Sequence, residues 1–227
     1  MKIFTAYIRE KSSTNEKPNE DKQISTDVQA ILEALFKDEH PDTHIINLQD
    51  ANLIEAQLGF YHLKWVHLER ANLKRAQISW ADLECANLNG TNLEKAHLSS
   101  SNLKYTDLRV ANLEKAILSE ADLQSARLVK ANLKWANLEG ANLKEATFKD
   151  ADLTKTNLDG ADLTGAYYLS PAQLSKARSL YNTKLDEELS IILKDEHPEL
   201  FENPRNEAEL KRRGEILANL GFVPSKD

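Results

Sequence analysis

From Leu48 to Tyr168 every fifth residue is large and apolar: of 25 such positions 22 are Leu, and the exceptions are Ile78, Phe148 and Tyr168. The register never slips. Two residues before each centre, from Ala51 to Ala166, 18 of 24 positions are Ala, the others being Tyr61, Val66, Thr91, Ser101, Thr106 and Thr156. The unit therefore reads Ala, then Asn or Asp, then Leu, then two variable residues. A single helix cannot use this period. Five residues advance an α-helix by about 500°, so successive leucines would wrap the cylinder rather than form a stripe. In an extended segment the small residue and the Leu, two apart, share one face while the Asn or Asp points away. Three residues then pass before the next small residue, so the chain must bend once per unit.

Bending after each short extended piece winds the chain into a coil whose backbone pairs with the coils above and below, about 4.8 Å away. The residue before each Leu tests how many sides the coil has. At alternate units, Asn52 through Asp162, eleven of twelve are Asn or Asp, with His62 the exception; at the intervening units, Gln57 through Asn157, four of eleven are. A ten-residue superperiod stacks into columns only if the coil has an even number of sides, and four is the smallest even number that closes a tube. Asn52, Asn72, Asn92, Asn112 and Asn132 then form one ladder ending at Asp152, with amides bridging coil to coil.

This pattern resembles the pentapeptide-repeat family, whose small residue, Asn or Asp, Leu and two variable positions are matched almost unit for unit over about 120 residues. The resemblance implies an all-β solenoid, a right-handed quadrilateral β-helix with one pentapeptide per side and about six coils. It also implies helical caps like those of many cyanobacterial members. Tyr61 and Val66 are bulky where the family has Ala, and His62 replaces Asn or Asp, so distortion is expected in the first coil.

A solenoid end exposes both leucines and unpaired backbone, which calls for caps. The expected organisation is an N-terminal segment 1–45 with a capping helix at about 26–39, the repeats at 46–168, and a helical cap and tail at 169–227. Residues 10–25 read as a polar linker, and Thr26 as the N-cap of a helix with Val28, Ile31, Leu32, Leu35 and Phe36 on one face before His40 and Pro41. At the other end Ser170 and Pro171 begin a helix carrying Leu174, Ala177, Leu180 and Tyr181 on one face. Leu189, Ile191, Ile192 and Leu193 indicate a second, ending near Pro198. Asn206 and Glu209 start a third that runs to Gly221.

Nothing here proposes catalysis, a cofactor or a metal centre. Phosphate loops, a serine elbow and paired cysteines are absent from the sequence. His62 and His67 sit one unit apart, spaced by the repeat rather than by ligand geometry. Cys85 is the only cysteine, so no intrachain disulfide forms and a reducing, cytoplasmic setting is expected. It occupies an outward variable position without an evident base. No segment approaches the roughly 20 apolar residues that span a bilayer.

The net charge of −7 disfavours nucleic acid, and the basic run Lys211, Arg212, Arg213 is offset by Glu207, Glu209 and Glu215. Some members of the resembled family imitate duplex DNA and bind DNA gyrase, protecting or inhibiting it. Residues 46–168 hold 14 cations and 16 carboxylates, a net of −2, too little for a continuous phosphate mimic. The expected function is a non-catalytic scaffold for protein–protein contact or structure, with an unidentified protein partner and a monomeric or weakly dimeric state. Its candidate patch is aromatic. Phe60 and Trp80 share one outward column, and Trp65 and Tyr105 the adjacent one with Cys85 between them. The N-terminal segment, through Phe4 or Tyr7, is the competing occupant of that surface.

Overall fold

A computed structural model describes Tyr7, Ile8, Glu10, residues 26–36 and residues 46–204. Parallel bridges join each residue preceding a Leu to its counterpart twenty positions on, from Asn47 with His67 to Thr147 with Tyr167. Twenty residues are four pentapeptides, so each coil has four sides. The pairing is regular: the Leu53 N–H donates to Asn72 O at 2.7 Å, and the Asn72 N–H donates to Ala51 O at 2.9 Å. Along each side the Ala and Leu are buried and the residue between them faces outward. The sides are named here by their first-coil residues Asn52, Gln57, His62 and His67, in that order around the tube. The Asn52 side thus faces the His62 side, and the Gln57 side faces the His67 side.

Each corner is a turn closed by the next unit, as in Ala71 N–H to Leu68 O at 3.0 Å, with a left-handed backbone at its fifth residue. A positive φ at the third residue of a four-residue turn is the type II signature and normally calls for glycine. Here Gly holds that place only at Gly90, Gly140, Gly160 and Gly165. Elsewhere the corner accepts large side chains, including Val110 at φ 58° and Trp135 at φ 60°. Left-handed residues other than Gly cost about 1–2 kcal/mol each, which the hydrogen-bonded stack on either side of the corner must offset.

The outward Asn and Asp have two tasks. Beyond Asn52, each oxygen accepts from the backbone N–H two residues on, as Asn92 Oδ1 does from Glu94 at 3.1 Å, and so fixes the approach to the corner. From Asn92 on, the amides of the Asn52 column also reach one coil back: Asn92 donates to Asn72 at 3.1 Å, Asn112 to Asn92 at 3.2 Å and Asn132 to Asn112 at 3.0 Å. The ladder is shorter than expected at its start, because the buried Asn52 Oδ1 has no partner. On the His62 side the acceptors alternate chemistry, Asn102 donating to Asp82 and Asn142 to Asp122, both at 2.9 Å. Inside, the small-position hydroxyls are satisfied by carbonyls, Thr106 by Leu103 O and Thr91 by Leu68 O, both at 2.7 Å. Tyr61 and Val66 do not disrupt the first coil: both are buried, and the flanking bridges His62 with Asp82 and His67 with Asn87 are intact.

Helix α1 spans Thr26–Phe36 and buries Val28, Leu32 and Phe36; Thr26 is its first residue rather than its cap. Its Gln29 substitutes for a missing strand. The side-chain amide donates to Gln57 O at 2.6 Å and accepts from Gln57 N–H at 2.9 Å. The next two edge amides, His62 and His67, donate to Phe36 O and Ile46 O, both at 2.9 Å. Ile8 is fully buried in the same cluster. Gln29→Ala is expected to cost about 0.5–1.5 kcal/mol, because water can replace the lost partner at this exposed edge; a thermal melt checks this, and Gln29→Glu should recover only the half of the pair that accepts.

Helix α2 is only Pro171–Leu174, with Ser170 as N-cap in a capping box with Gln173, so the longer helix through Tyr181 is not formed. The chain instead returns to the solenoid. Ser179 bridges Asn157 and Lys184 bridges Asp162, now 22 residues apart, and the turn residue Asn182 is again left-handed. Arg178–Asn182 and Thr183–Glu187 are two degenerate pentapeptides displaced by a two-residue slip, which explains why Leu180 and Ser179 are buried while Tyr181 is only half-buried. Gln173 mirrors Gln29, its amide donating to Phe148 O at 2.9 Å and Ala151 O at 3.1 Å. Helix α3, Glu187–Glu196, and a 3-10 turn, Pro198–Phe201, follow. Of the α3 apolar residues only Leu193 is buried, and Ile191 is exposed. Linker residues 11–25, the helix stop at His40 and Pro41, the third C-terminal helix and the Lys211–Arg213 run lie outside the described residues.

Candidate interaction surface

The corner turn explains how large apolar groups come to stand in solvent. A left-handed fifth residue directs its side chain away from the tube whatever its chemistry, so corner residues are free of the core's demands. Phe60, Trp65, Trp80 and Tyr105 all occupy this position and are 71%, 60%, 60% and 55% exposed. Phe60 and Trp80, one coil apart on the same corner, stack with centroids 6.3 Å apart and planes 2° from parallel. Trp65 and Tyr105 stand on the next corner, two coils apart, with Cys85 between. Tyr7 is half-buried, but these exposures show that no described residue covers the patch; Phe4 lies outside the described residues.

The His62 side forms the polar strip between the two aromatic corners. Lys64 bonds Glu84 at 3.0 Å and Asp82 at 3.3 Å, which together raise its pKa above the ordinary lysine range; Lys104 bonds Asp122 at 3.0 Å. Cys85 is half-buried, and burial with the neighbouring Glu84 carboxylate pushes its thiol up, away from the reactive thiolate. His62 is exposed and His67 faces Glu69 at 3.5 Å, so the two histidines do not converge. Among the described residues no group of three or more His, Cys, Asp or Glu is placed to hold a metal ion. No described helix is long and apolar enough to cross a membrane. Exposed Val110, Trp135 and Tyr167 were not singled out from sequence, although the five-residue register could have flagged the first two as corner residues; Tyr168, counted there among the large apolar centres, is instead 70% exposed, with a left-handed backbone at φ 55° where the five-residue register ends.

Several surface carboxylates are held below their usual range. Burial alone would raise Asp107, but hydrogen bonds from Arg109, including Nε to Oδ1 at 2.7 Å, and the nearby Arg127 charge outweigh it. Asp152, beside Thr154 and Lys134, and Asp162, beside Thr164, Lys184 and Lys144, behave alike. A depressed folded pKa contributes stability above the unfolded value of 3.8 and loses it as pH falls through the folded value. The melting temperature should therefore be flat above about pH 5 and drop below about pH 4. Asp107→Asn should shallow that drop; an unchanged acid limb would show that the Arg109 and Arg127 contacts do not contribute.

Residues 46–84, 62–99, 76–114, 96–134 and 131–167 match the family model of pentapeptide repeats, in 8 copies. Similar solved structures include Rfr23, a pentapeptide-repeat protein of the cyanobacterium Cyanothece 51142, 36% identical over 50% of this chain and 67% of that one, TM-score 0.33. HetL, involved in heterocyst differentiation regulation in Nostoc sp. strain PCC 7120, is 28% identical over 61% of this chain and 74% of its own, TM-score 0.33. A further pentapeptide-repeat protein of Nostoc PCC 7120 is 30% identical over 50% of this chain and 86% of its own, TM-score 0.40. No curated protein matches the chain.

Proposed function

Since the chain belongs to the pentapeptide-repeat family, whose repeats wind as right-handed quadrilateral β-helices, we propose that it is a non-catalytic cytoplasmic scaffold that docks a protein partner on its aromatic corners. In this reading about six coils form the rod, α1 closes its N-terminal edge, and the segment after Tyr168 closes the other. The observation that carries the reading is the exposure of Phe60, Trp65, Trp80 and Tyr105 on two adjacent corners of the early coils. Large aromatics supply most of the energy at protein interfaces when a partner desolvates them. A polar strip between the corners, with Lys64 and Glu84 already paired, gives such a partner a register. Duplex mimicry is disfavoured by the corner bearing Arg75, Lys95, Lys115 and Lys155, which interrupts any continuous negative surface.

Crosslinking in the native host, read by mass spectrometry, tests the proposal. Crosslinks to one partner are expected at Lys64 and Lys104, which flank the aromatics, and should vanish when Phe60, Trp65 and Trp80 are replaced by Ser. Those exposed substitutions should shift stability by no more than about 0.5 kcal/mol. Crosslinks confined to other sides, or unchanged in the variant, would refute the assignment.

A further inference from the structure

We propose that the two aromatic corners receive arginine side chains, so that what docks there is a partner segment carrying two arginines. The inference rests on the docking reading above and adds the chemistry of the partner. Along one corner the column after Phe60 runs Trp80, Ser100, Glu120, Gly140; along the next, after Trp65 and Cys85, it runs Tyr105, Ser125, Glu145, Gly165. Each column thus presents an aromatic ring, a hydroxyl, a carboxylate and a glycine in successive coils. The second copy of this order is displaced from the first by one side and one coil. Its two glutamates are the only charges in these columns, whereas the other two corner columns hold six cations, Arg70 and Arg75 among them.

Each order leaves a notch suited to a guanidinium. Phe60 stacks on one face of Trp80, and Ser100, next in the column, is too short to cover the other. The carboxylates are uncommitted. Ser125 Oγ donates to Glu145 at 3.1 Å and Ser100 Oγ faces Glu120 at 3.5 Å, but neither glutamate, both of them exposed, has an ion-pair partner among the described residues. Lys144, the chain neighbour of Glu145, is held by Asp162 at 3.4 Å. Behind the glutamates stand Gly140 and Gly165, where a Cβ would come within 3.6 and 3.7 Å of the Glu Cγ, so a longer side chain would crowd the carboxylate. Ring and carboxylate are two coils apart, about 10 Å at the backbone. A cation within about 6 Å of a ring centroid is attracted to its face, and a planar guanidinium can stack there while its edge donates to the carboxylate, which an ammonium cannot do. The two notches lie about 11 Å apart by strand rise and coil spacing, which sets the separation of the two arginines.

Nuclear magnetic resonance titration of the full chain with a synthetic peptide bearing two arginines in a glycine–serine sequence tests this, read at the tryptophan indole N–H signals. Trp80 should shift, and Trp135, on another corner, should not. Replacing both arginines by citrulline, which keeps the planar group without its charge, should abolish the shift. Glu120→Gln with Glu145→Gln should weaken binding about fivefold or more. Asp27→Asn with Asp150→Asn, which removes the same charge from exposed positions elsewhere, should leave binding unchanged. Unchanged circular dichroism melts show that the variants fold. In the native host the glutamine pair should also lose the partner crosslinks at Lys64 and Lys104. An absent Trp80 shift with peptide in large excess, equal weakening by both variant pairs, or a citrulline peptide that binds as well as the arginine one would each overturn the inference. Crosslinks that persist in the glutamine pair but vanish in the Phe60, Trp65 and Trp80 serine variant would overturn it while leaving the docking surface standing; crosslinks that survive in both would remove both.

Discussion

Leu103→Ala should lower stability by about 2–5 kcal/mol, while Lys104→Ala, its neighbour, should be within about 0.5 kcal/mol of neutral. Leu103 has no solvent exposure, and its column is filled by Leu83 below and Leu123 above, each with 1% exposure. Its N–H donates to Asp122 O at 2.7 Å, and the coils on both sides are tied in the same way. The walls around an emptied site are therefore held at the coil spacing and cannot close over the void, which places the loss toward the upper end of the range. Lys104 points outward and pairs with Asp122, a largely solvent-facing pair worth little. Chemical denaturation of both variants decides the matter; equal losses would contradict the inward and outward assignment.

Asn112→Ala is expected to cost about 2–4 kcal/mol, close to the core substitution although the residue is not in the core. Its side chain makes three bonds: it donates to Asn92, accepts from Asn132 and accepts from the Glu114 N–H at 3.2 Å. Removing it breaks both rungs of the ladder and releases one corner. Asn112→Asp separates these roles. The carboxylate keeps both acceptor bonds but faces the Asn92 oxygen without a proton to donate, so the loss should be smaller and should shrink further as the acid is protonated. Asp152 is tolerated at the end of this column because Lys134 neutralises it at 3.2 Å. Stability of the two variants across pH tests the ladder, and a neutral Asn112→Ala would remove it as a source of stability.

Most of the tube was legible in the sequence because its constraint is repeated. One Leu in five shows a bend but no number of sides; the alternation of Asn and Asp supplied the even number, and the bridge from Asn52 to Asn72 reflects it. The region after Tyr168 was misread as a longer helix for a physical reason. Arg178–Asn182 and Thr183–Glu187 lack both the Ala and the Asn or Asp, and the slip moves Leu180 and Leu185 off the five-residue register. Local propensity then favoured a helix, whereas the open edge of Leu158 and Leu163 recruited the segment as strand through Ser179 O and Lys184 O. Gln29 was invisible because a glutamine on a helix reads as solvent-facing until the edge it completes is known. The aromatic columns followed from counting by twenty, but their exposure depends on the left-handed corners, which no composition rule announces.

The four-sided coil also fixes how the chain tolerates insertion and deletion. Losing twenty residues shortens the rod by one storey and leaves every outer column in line. Losing five between them preserves the local motif and every remaining buried leucine, yet gives all that follows a quarter turn: Glu120 and Gly140, now in line with Phe60 and Trp80, would come to stand in line with Arg75 instead. Length can therefore drift in whole storeys, while a single missing pentapeptide rewrites which surfaces share a side.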